Sequence, residues 1–315
     1  MIALEISGGL GNQFFRYACA RTLLEQRKVN RQADTLVINY NGVEDHGFAG
    51  NLRDFQILEH EASVCRRLLL KYGSWLQIGT FTAFKYLARF FKSKGFTNFK
   101  QKTLARIGIM LSEDPDNECK FTPPEKLNNV FVWGSFEHVR YFEDMSEILS
   151  REFTPKHPEL EENAELYRVI RSTNSICLAV RRGDFMVAEN RKIFYVCDLS
   201  YFQKAIDYMQ QHVENPVFIV FSNDIEWVKQ NLKINVEVHY ESGKDPVWET
   251  YRLMYSCHHF IISNSTLHWW AQYKGAAMDK IVVAPDRWYN VKGWTEHLML
   301  PNFVRIPTGV PYNEN

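Results

Sequence analysis

The chain has 315 residues, of which 45% are hydrophobic and 14% aromatic, so it can bury a sizeable core in one large or two ordinary domains. Lysine plus arginine and aspartate plus glutamate both total 37. The length and composition predict a soluble globular protein. The formal net charge of zero argues against a protein that binds nucleic acid with its whole surface.

The first predicted unit is a strand, a glycine loop and a helix. An alternating strand covers residues 2–6, a polar loop with three glycines covers 7–13, and a helical pattern runs over 14–27. A glycine loop at the start of a helix lets backbone N–H groups approach a ligand closely. Phe14 stands where a dinucleotide fingerprint needs its third glycine, which argues against NAD binding and leaves a purely structural turn as the alternative.

Residues 65–107 form a basic and aromatic segment. They include ten lysines or arginines, no aspartate or glutamate, and many interleaved aromatic residues. Cations with aromatic rings suit an anionic membrane surface or a nucleic acid. The alternative is a set of helices with a solvated cationic face and an aromatic core face.

An acidic loop follows at residues 112–118. Asp114 and Asp116 match the D-x-D metal pair of one glycosyltransferase class only superficially, because that pair needs the end of a strand to fix it. We therefore expect no metal site there.

The second half alternates strands with helices. A proline-bearing connection at residues 151–175 predicts two domains, 1–155 and 156–315. Beyond it the expected strands are 176–180, 217–221, 236–240, 259–262 and 281–284, and the expected helices are 201–212, 225–232, 247–256 and 266–275. This order predicts an α/β fold with a parallel sheet covered on both faces, whose ligands bind outside the carboxyl ends of the strands.

Three polar clusters fall at those strand ends. They are Arg181, Arg182, Gly183 and Asp184; Ser222, Asn223 and Asp224; and Ser263, Asn264, Ser265 and Thr266. A guanidinium is the best protein partner for a diphosphate, and hydroxyls with free N–H groups at a helix start add to it. Taken singly, each cluster also fits a surface ion pair or a helix cap.

Several motifs together carry a resemblance to a known family. They are GGLGNQFFRYA at 8–18, VRRGD at 180–184, VCDLSYFQKAI at 196–206, VFSNDIEW at 220–227, IISNSTLHWW at 261–270 and KIVVAPDRW at 280–288. In order and spacing the chain resembles the inverting α-1,2-fucosyltransferases of bacterial polysaccharide synthesis, glycosyltransferase family 11, over nearly its whole length.

The resemblance implies a GT-B architecture, two Rossmann-like domains facing a cleft, with GDP-fucose held by the C-terminal domain and a galactose-containing acceptor approached from the N-terminal one. It implies transfer to the galactose 2-hydroxyl without a metal or other cofactor. It favours Arg181 as the ligand of the β-phosphate. Arg181 and Asp184, which share one turn, are the candidate catalytic residues. The further donor-binding residues implied are Arg182, Ser222, Asn223, Asp224, His259, Asn264, Ser265, Thr266 and Leu267, and the acceptor-side residues are Gly9, Gly11, Asn12 and Gln13.

One position departs from the family pattern. Ala179 stands where the family usually has histidine, and His258 or His259 is a candidate replacement. Four carboxylates qualify as a base near the sheet edge, namely Asp184, Asp198, Asp224 and Glu249, and the sequence does not choose among them. The alternatives are a GDP-sugar transferase of different linkage or acceptor and a non-catalytic carbohydrate-binding homologue.

The expected partners are GDP-fucose and a glycan acceptor, free or lipid-linked, with no nucleic acid. The six cysteines lack a C-x-x-C spacing and mostly lie in apolar surroundings, which predicts buried free thiols in a reducing compartment. The chain starts directly in a strand rather than in a secretory signal pattern, so we expect a cytoplasmic protein, with segment 65–107 offering peripheral contact with the inner membrane.

Overall fold

The computed structural model describes residues 1–28, 34–45, 47, 52–58, 61–62, 67–91, 93–112, 121–294 and 296–313. The chain divides into two compact units, Met1–Phe153 and Thr154–Asn315. This division lies two residues before the predicted domain boundary.

Unit 1 (Met1–Phe153) contains a five-stranded parallel sheet of order β3-β2-β1-β5-β4. Its strands are β1 (Ile2–Ser7), β2 (Leu36–Tyr40), β3 (Glu61–Ala62), β4 (Ile109–Ser112) and β5 (Val130–Gly134). Its helices are α1 (Leu10–Lys28), α2 (Asn41–Glu44), α3 (Leu68–Tyr72), α4 (Trp75–Leu87), α5 (Lys94–Arg106) and α6 (Ser146–Glu152).

Helix α1 begins four residues earlier than predicted. Gly8 has φ +80°, and a Cβ there would lie 2.8 Å from Nδ2 of Asn12, so only glycine permits the tight turn out of β1. The N–H groups of Asn12 and Gln13 then donate to the carbonyl of Gly9, at 3.0 and 3.2 Å. Consequently Gly11, Asn12 and Gln13 belong to the first helical turn and not to a loop.

The basic and aromatic segment folds into helices α3 to α5. Ser74 begins α4 with a capping box closed by Gln77, and Ser93 caps α5. Phe84 and Leu104 pack against the sheet, as the structural alternative expects. Other apolar side chains of the segment are exposed, among them Trp75 at 92%. The segment therefore has both a core face and an exposed apolar surface.

Unit 2 (Thr154–Asn315) contains a six-stranded parallel sheet of order β11-β10-β9-β6-β7-β8. Its strands are β6 (Asn174–Val180), β7 (Pro216–Ser222), β8 (Val238–Tyr240), β9 (His259–Ile262), β10 (Val282–Pro285) and β11 (Val304–Ile306). Its helices are α7 (Ala164–Ser172), α8 (Ala188–Phe194), α9 (Leu199–His212), α10 (Ile225–Asn231), α11 (Val247–Ser256) and α12 (Thr266–Lys274).

The core of unit 2 lies between β6, β7 and helix α9. Alternate residues of β6, Ile176 and Leu178, are fully buried against Phe202 and Ile206 of the helix. Such side chains stabilise the fold by roughly 1.5–3 kcal/mol each on burial. This packing fixes the sheet whose carboxyl edge carries the predicted site. None of the described helices combines the length and apolarity needed to cross a bilayer.

Candidate active site

The strand order of unit 2 creates a topological switch point at β6. The chain proceeds from β6 to β7 and β8 on one side, then returns to pair β9 with the other side of β6. In open α/β sheets a ligand crevice lies outside the carboxyl ends of the strands at such a point. The three predicted clusters lie at the carboxyl ends of β6, β7 and β9, so the structure brings them to one edge of the sheet.

Neighbouring strands fix the backbone of the arginine pair. The Ser263 hydroxyl donates to the carbonyl of Ala179 at 2.8 Å and accepts from the N–H of Arg181 at 2.9 Å. Asn223 accepts from the N–H of Arg182 through Oδ1 at 3.0 Å. A Cβ on Gly183 would lie 2.0 Å from Nδ2 of Asn223, so this close approach requires glycine.

Arg182 is held as part of the wall of the site. Its Nε donates to Oδ2 of Asp224 at 3.0 Å, and its guanidinium lies 3.7 Å from the ring centre of Trp227. Only 14% of its side chain is exposed. Asp224 also caps α10 by accepting from the N–H of Trp227. Trp227 is a site residue that the sequence analysis did not identify as such, although it lies within a quoted motif.

Arg181 is the more accessible arginine. Its Nη2 lies 2.7 Å from Oδ1 of Asp184, and the two side chains are 38% and 52% exposed. An exposed ion pair of this kind contributes little to stability. Arg181 can therefore exchange Asp184 for an anionic ligand at small cost. Successive side chains of extended chain point to opposite sides, which agrees with the different surroundings of the two arginines.

The start of helix α12 completes this edge. Ser265 takes the N-cap position in an extended conformation without a capping bond from its side chain. Thr266 and Leu267 form the first turn, where helical N–H groups and the positive end of the helix dipole favour an anion.

His268 lies in the same turn of α12 and was not singled out from the sequence. Its side chain is buried, and its Nδ1 has no hydrogen-bond partner among the described residues. Burial, with a smaller contribution from Arg181, lowers the pKa of His268 to about 3, so the imidazole is neutral at physiological pH.

Asn264, a predicted donor-binding residue, has a structural role. The Asn264 side chain donates to the carbonyls of Phe194 and Trp288, at 2.9 and 2.8 Å, and its Oδ1 accepts from the thiol of Cys197. These bonds tie three loops together and use both N–H bonds of an amide that is almost fully buried. The prediction that this side chain contacts the donor is thus corrected.

His259 lies at the amino end of β9, opposite the edge that carries the arginine pair. Its Nδ1 accepts from the N–H of Ile281 at 3.0 Å, and its ring stacks on His258, which pairs with Asp279. Neither histidine shares an edge with the carboxyl end of β6. The expectation that His259 contacts the donor, or that either histidine replaces the one missing at Ala179, is therefore wrong.

Besides Asp224, which caps α10, two of the four candidate bases have structural roles. Asp198 caps α9 through the N–H of Tyr201 at 2.9 Å and accepts from the N–H of Gly309 at 3.1 Å. Glu249 is fully buried and accepts from the hydroxyl of Tyr167 at 3.0 Å. Asp184 and Asp224 are the candidates that lie beside the arginine pair.

Some of the predicted acceptor-side residues of unit 1 are buried, and others adjoin open space. Gln13 is fully buried, donates to the carbonyl of Gly8 at 2.9 Å and accepts from the N–H of Leu52 at 3.2 Å, so it shapes the turn and is not free to bind a sugar. Gly11 is buried within α1. Asn12 is half-buried, and a Cβ on Gly9 would meet nothing within 4 Å, so open space adjoins the turn at Gly9.

The cysteines agree with the prediction where they are described. Cys19, Cys177, Cys197 and Cys257 are buried free thiols, and burial raises the pKa of Cys197 to about 12. Cys65, Cys119, Asp114 and Asp116 lie outside the described residues.

A family model described as glycosyl transferase family 11 matches residues 1–306. The chain belongs to glycosyltransferase family 11. It is thus a glycosyltransferase that acts on a nucleotide-sugar donor and a glycan acceptor, and the family predicted from the motifs is confirmed.

Curated relatives of this family 11 enzyme include two from Escherichia coli. The O-antigen biosynthesis glycosyltransferase WbnK is 27% identical over 90% of this chain and 93% of its own, and an alpha-1,2-colitosyltransferase is 26% identical over 92% of both. The human galactoside alpha-(1,2)-fucosyltransferase 1 is 31% identical over 55% of this chain and half of its own length.

Solved structures share the fold. NodZ alpha-1,6-fucosyltransferase co-crystallised with GDP aligns over 86% of this chain and 91% of its own, with a TM-score of 0.50 and 12% identity. A mutant of Arabidopsis thaliana FUT1 in complex with GDP covers 89% of this chain and 69% of its own, with a TM-score of 0.51 and 11% identity. The predicted α/β fold of GT-B type, with two Rossmann-like units, is confirmed.

Proposed function

We propose that this glycosyltransferase transfers fucose from GDP-fucose to the 2-hydroxyl of a galactose, with inversion, and so forms an α-1,2 linkage. The observation that carries the proposal is the pair Arg181 and Arg182, fixed at the switch point of unit 2 beside the start of α12. The α-1,2 linkage in the names of the E. coli and human relatives supports the linkage. GDP in the NodZ and FUT1 structures supports the nucleotide.

In this proposal the arginines stabilise the leaving group. The galactose oxygen attacks the anomeric carbon of fucose while the bond from that carbon to the β-phosphate oxygen breaks, and GDP departs with the bonding electron pair. Arg181 leaves Asp184 and pairs with the β-phosphate, where negative charge grows in the transition state. Arg182 stays on Asp224 and Trp227 and adds a fixed positive charge.

The proton of the attacking hydroxyl needs an acceptor, and we assign it to Asp184. Pairing of Arg181 with the diphosphate frees this half-exposed carboxylate, whereas Asp224 remains engaged with Arg182 and with the cap of α10. A base within hydrogen-bond reach of the nucleophile contributes typically about 10²–10⁴-fold in rate.

We further propose that the reaction needs no metal. In metal-dependent transferases a divalent cation offsets the charge of the diphosphate. Here two guanidinium groups and the start of α12 would supply that positive charge.

The experiment must distinguish fucose from other donor sugars, since the name of one relative, an alpha-1,2-colitosyltransferase, gives a different sugar. The test measures GDP release from GDP-fucose in EDTA, with and without a panel of β-galactosides, and identifies the product linkage. We expect acceptor-dependent release and fucose on the galactose 2-hydroxyl. Acceptor-dependent GDP release from another GDP-deoxysugar, with none from GDP-fucose, would indicate the alternative donor. Glycan binding without release from any GDP-sugar would indicate a non-catalytic homologue.

A further inference from the structure

Unit 1 has a topological switch point of its own. Strand β1 pairs with β2 on one side and with β5 on the other. A cavity of about 400 Å³ opens at the carboxyl ends of its strands. The last residues of three strands line it, namely Ser7 of β1, Ser112 of β4 and Gly134 of β5, together with Ser135. By topology this is the place in unit 1 where a ligand is expected.

The cavity has a strongly positive lining. Arg16 of α1, Arg67, Lys85 of α4 and Lys100 of α5 line it, and none of its described lining residues is acidic. Lys100 is only 3% exposed, which is rare for lysine. Arg16 and Lys85 are the two cations of this lining whose charge an anionic group in the cavity would offset.

Two carboxylates of the described residues interact electrostatically with cations of the lining. The negative charge of Glu137 acts to raise the pKa of Arg16. Glu5 lines a smaller cavity that shares Arg67 with this one, and the charge of Arg67 acts to lower the pKa of Glu5. The oxygens of Glu5 accept from the N–H of Leu68 at 2.7 Å and from Nδ2 of Asn39 at 2.6 Å.

Two buried polar atoms of the lining lack partners. Among the described residues, neither Nε of Arg16 nor Oγ of Ser135 has a hydrogen-bond partner. Burial lowers the pKa of Arg16 to about 10, so its guanidinium remains charged at neutral pH. Buried donors without partners are costly, and a ligand rich in acceptor oxygens would satisfy both.

The same cavity offers an aromatic surface. Trp133 lines it with a side chain that is 37% exposed, and its ring stacks on Phe81 with the centroids 5.1 Å apart. A ring face flanked by polar groups suits the C–H face of a sugar, whereas a simple inorganic anion would make no use of it.

We propose that this cavity binds the acceptor glycan through a negatively charged group of that glycan, a carboxylate of an acidic sugar or a phosphate. The inference rests on the proposed function in taking the bound glycan to be the acceptor of the transferase. The acceptor is then an anionic oligosaccharide, and Lys85 and Arg16 determine this specificity.

The test measures binding to the full-length protein by calorimetry without any donor. The ligands are Galβ1-3GlcNAc as its neutral methyl glycoside, the same disaccharide as its 1-phosphate, a galactosyl glucuronic acid, and inorganic phosphate. We expect at least one charged disaccharide to bind about tenfold more tightly than the neutral one, as one added charge-assisted hydrogen bond would give. This preference should shrink as ionic strength rises.

Two matched lysine variants separate the cavity from general surface charge. Lys85→Gln removes an exposed lysine that lines the cavity, and Lys102→Gln removes an exposed lysine of α5 that does not. We expect Lys85→Gln to reduce the preference about three- to tenfold and Lys102→Gln to leave it unchanged. Ser135→Ala should also weaken binding of the charged disaccharide and not of the neutral one.

The phosphate and glucuronate arms distinguish the two sources of charge. Equal affinity for neutral and charged disaccharides, equal effects of the two lysine variants, or inorganic phosphate binding as tightly as the charged glycans would each overturn the inference. Fucose transfer to neutral galactosides with no preference for charged ones would refute the inference and leave the proposed function standing. Binding of charged glycans that depends on Lys85, without any fucose transfer, would support the charged-glycan site and refute the proposed fucose transfer.

Discussion

At the scale of single residues, a substitution at Asp184 distinguishes a role in catalysis from a role in GDP binding. Its pairing with Arg181 is half-exposed, so Asp184→Asn should change the free energy of unfolding by less than about 1 kcal/mol. As the proposed base, its loss should lower kcat by about 10²-fold or more, with GDP affinity nearly unchanged. Steady-state kinetics and GDP titration check both.

The matched control is Glu165→Gln, which breaks a similar exposed pair of spacing i, i+3, with Arg168 on α7. It should leave kcat unchanged. Full activity of Asp184→Asn would show that the proton leaves by another route.

Asn264 illustrates a buried side chain that holds loops together. Asn264→Ala removes two donors and leaves the carbonyls of Phe194 and Trp288 without their partner, which should cost roughly 2–4 kcal/mol of unfolding free energy. Asn231→Ala, which loses one exposed bond to the carbonyl of Trp227, should cost less than about 1 kcal/mol. Denaturant unfolding compares the two, and equal losses would contradict the role assigned to Asn264.

Residue types at strand ends were predictable, but their partners were not. The sequence places Arg182 and Asn264 alike at the carboxyl edge, because both follow buried strands. Whether a polar side chain faces a ligand or a backbone carbonyl depends on loops distant in sequence, such as those of Phe194 and Trp288. For the same reason Gln13, which holds Leu52, looked like a ligand-binding residue.

At the scale of elements, α4 and the residues after it present an exposed apolar surface. Trp75 is 92% exposed and Phe90 80% exposed, in a segment that lacks acidic residues. We propose that this surface docks on anionic membranes, where the rings enter the interface and the cations meet phosphates. Lys100 does not contribute, because it is buried.

The double variant Trp75→Ala, Phe90→Ala should reduce sedimentation with anionic vesicles about tenfold or more, since each ring buries substantial apolar area. Met278→Ala in unit 2 removes a side chain that is 99% exposed and should have no effect. Undiminished sedimentation of the double variant, or equal sedimentation with neutral vesicles, would contradict docking by this surface.

Elements of unit 2 were more predictable than those of unit 1. Helix α11 and strand β9 have the predicted bounds, because apolar strands and amphipathic helices alternate clearly there. The sequence pattern did not predict α8, which is short and polar, or β11, a three-residue edge strand followed by proline. Strand β4 was not predicted either, because its four buried residues closely follow a helix and a glycine at φ +91°.

At the scale of the whole molecule, two parallel sheets each have a switch point with polar groups at the carboxyl ends of the strands. Unit 2 carries fixed arginines and a helix start, a surface suited to a diphosphate. Unit 1 carries a positive cavity with an aromatic wall. We therefore propose donor binding for unit 2 and acceptor binding for unit 1, each from its own residues.

The most direct measurement is the GDP affinity of the full-length protein, titrated in EDTA for wild type, Arg181→Ala and the matched control Arg168→Ala. Wild type and the control should bind GDP equally, and Arg181→Ala should bind it about 10- to 100-fold more weakly, the loss expected for a charge-assisted contact with phosphate. GDP affinity that is unchanged in Arg181→Ala, or absent in wild type until a divalent cation is added, would contradict the assignment of the diphosphate to this arginine.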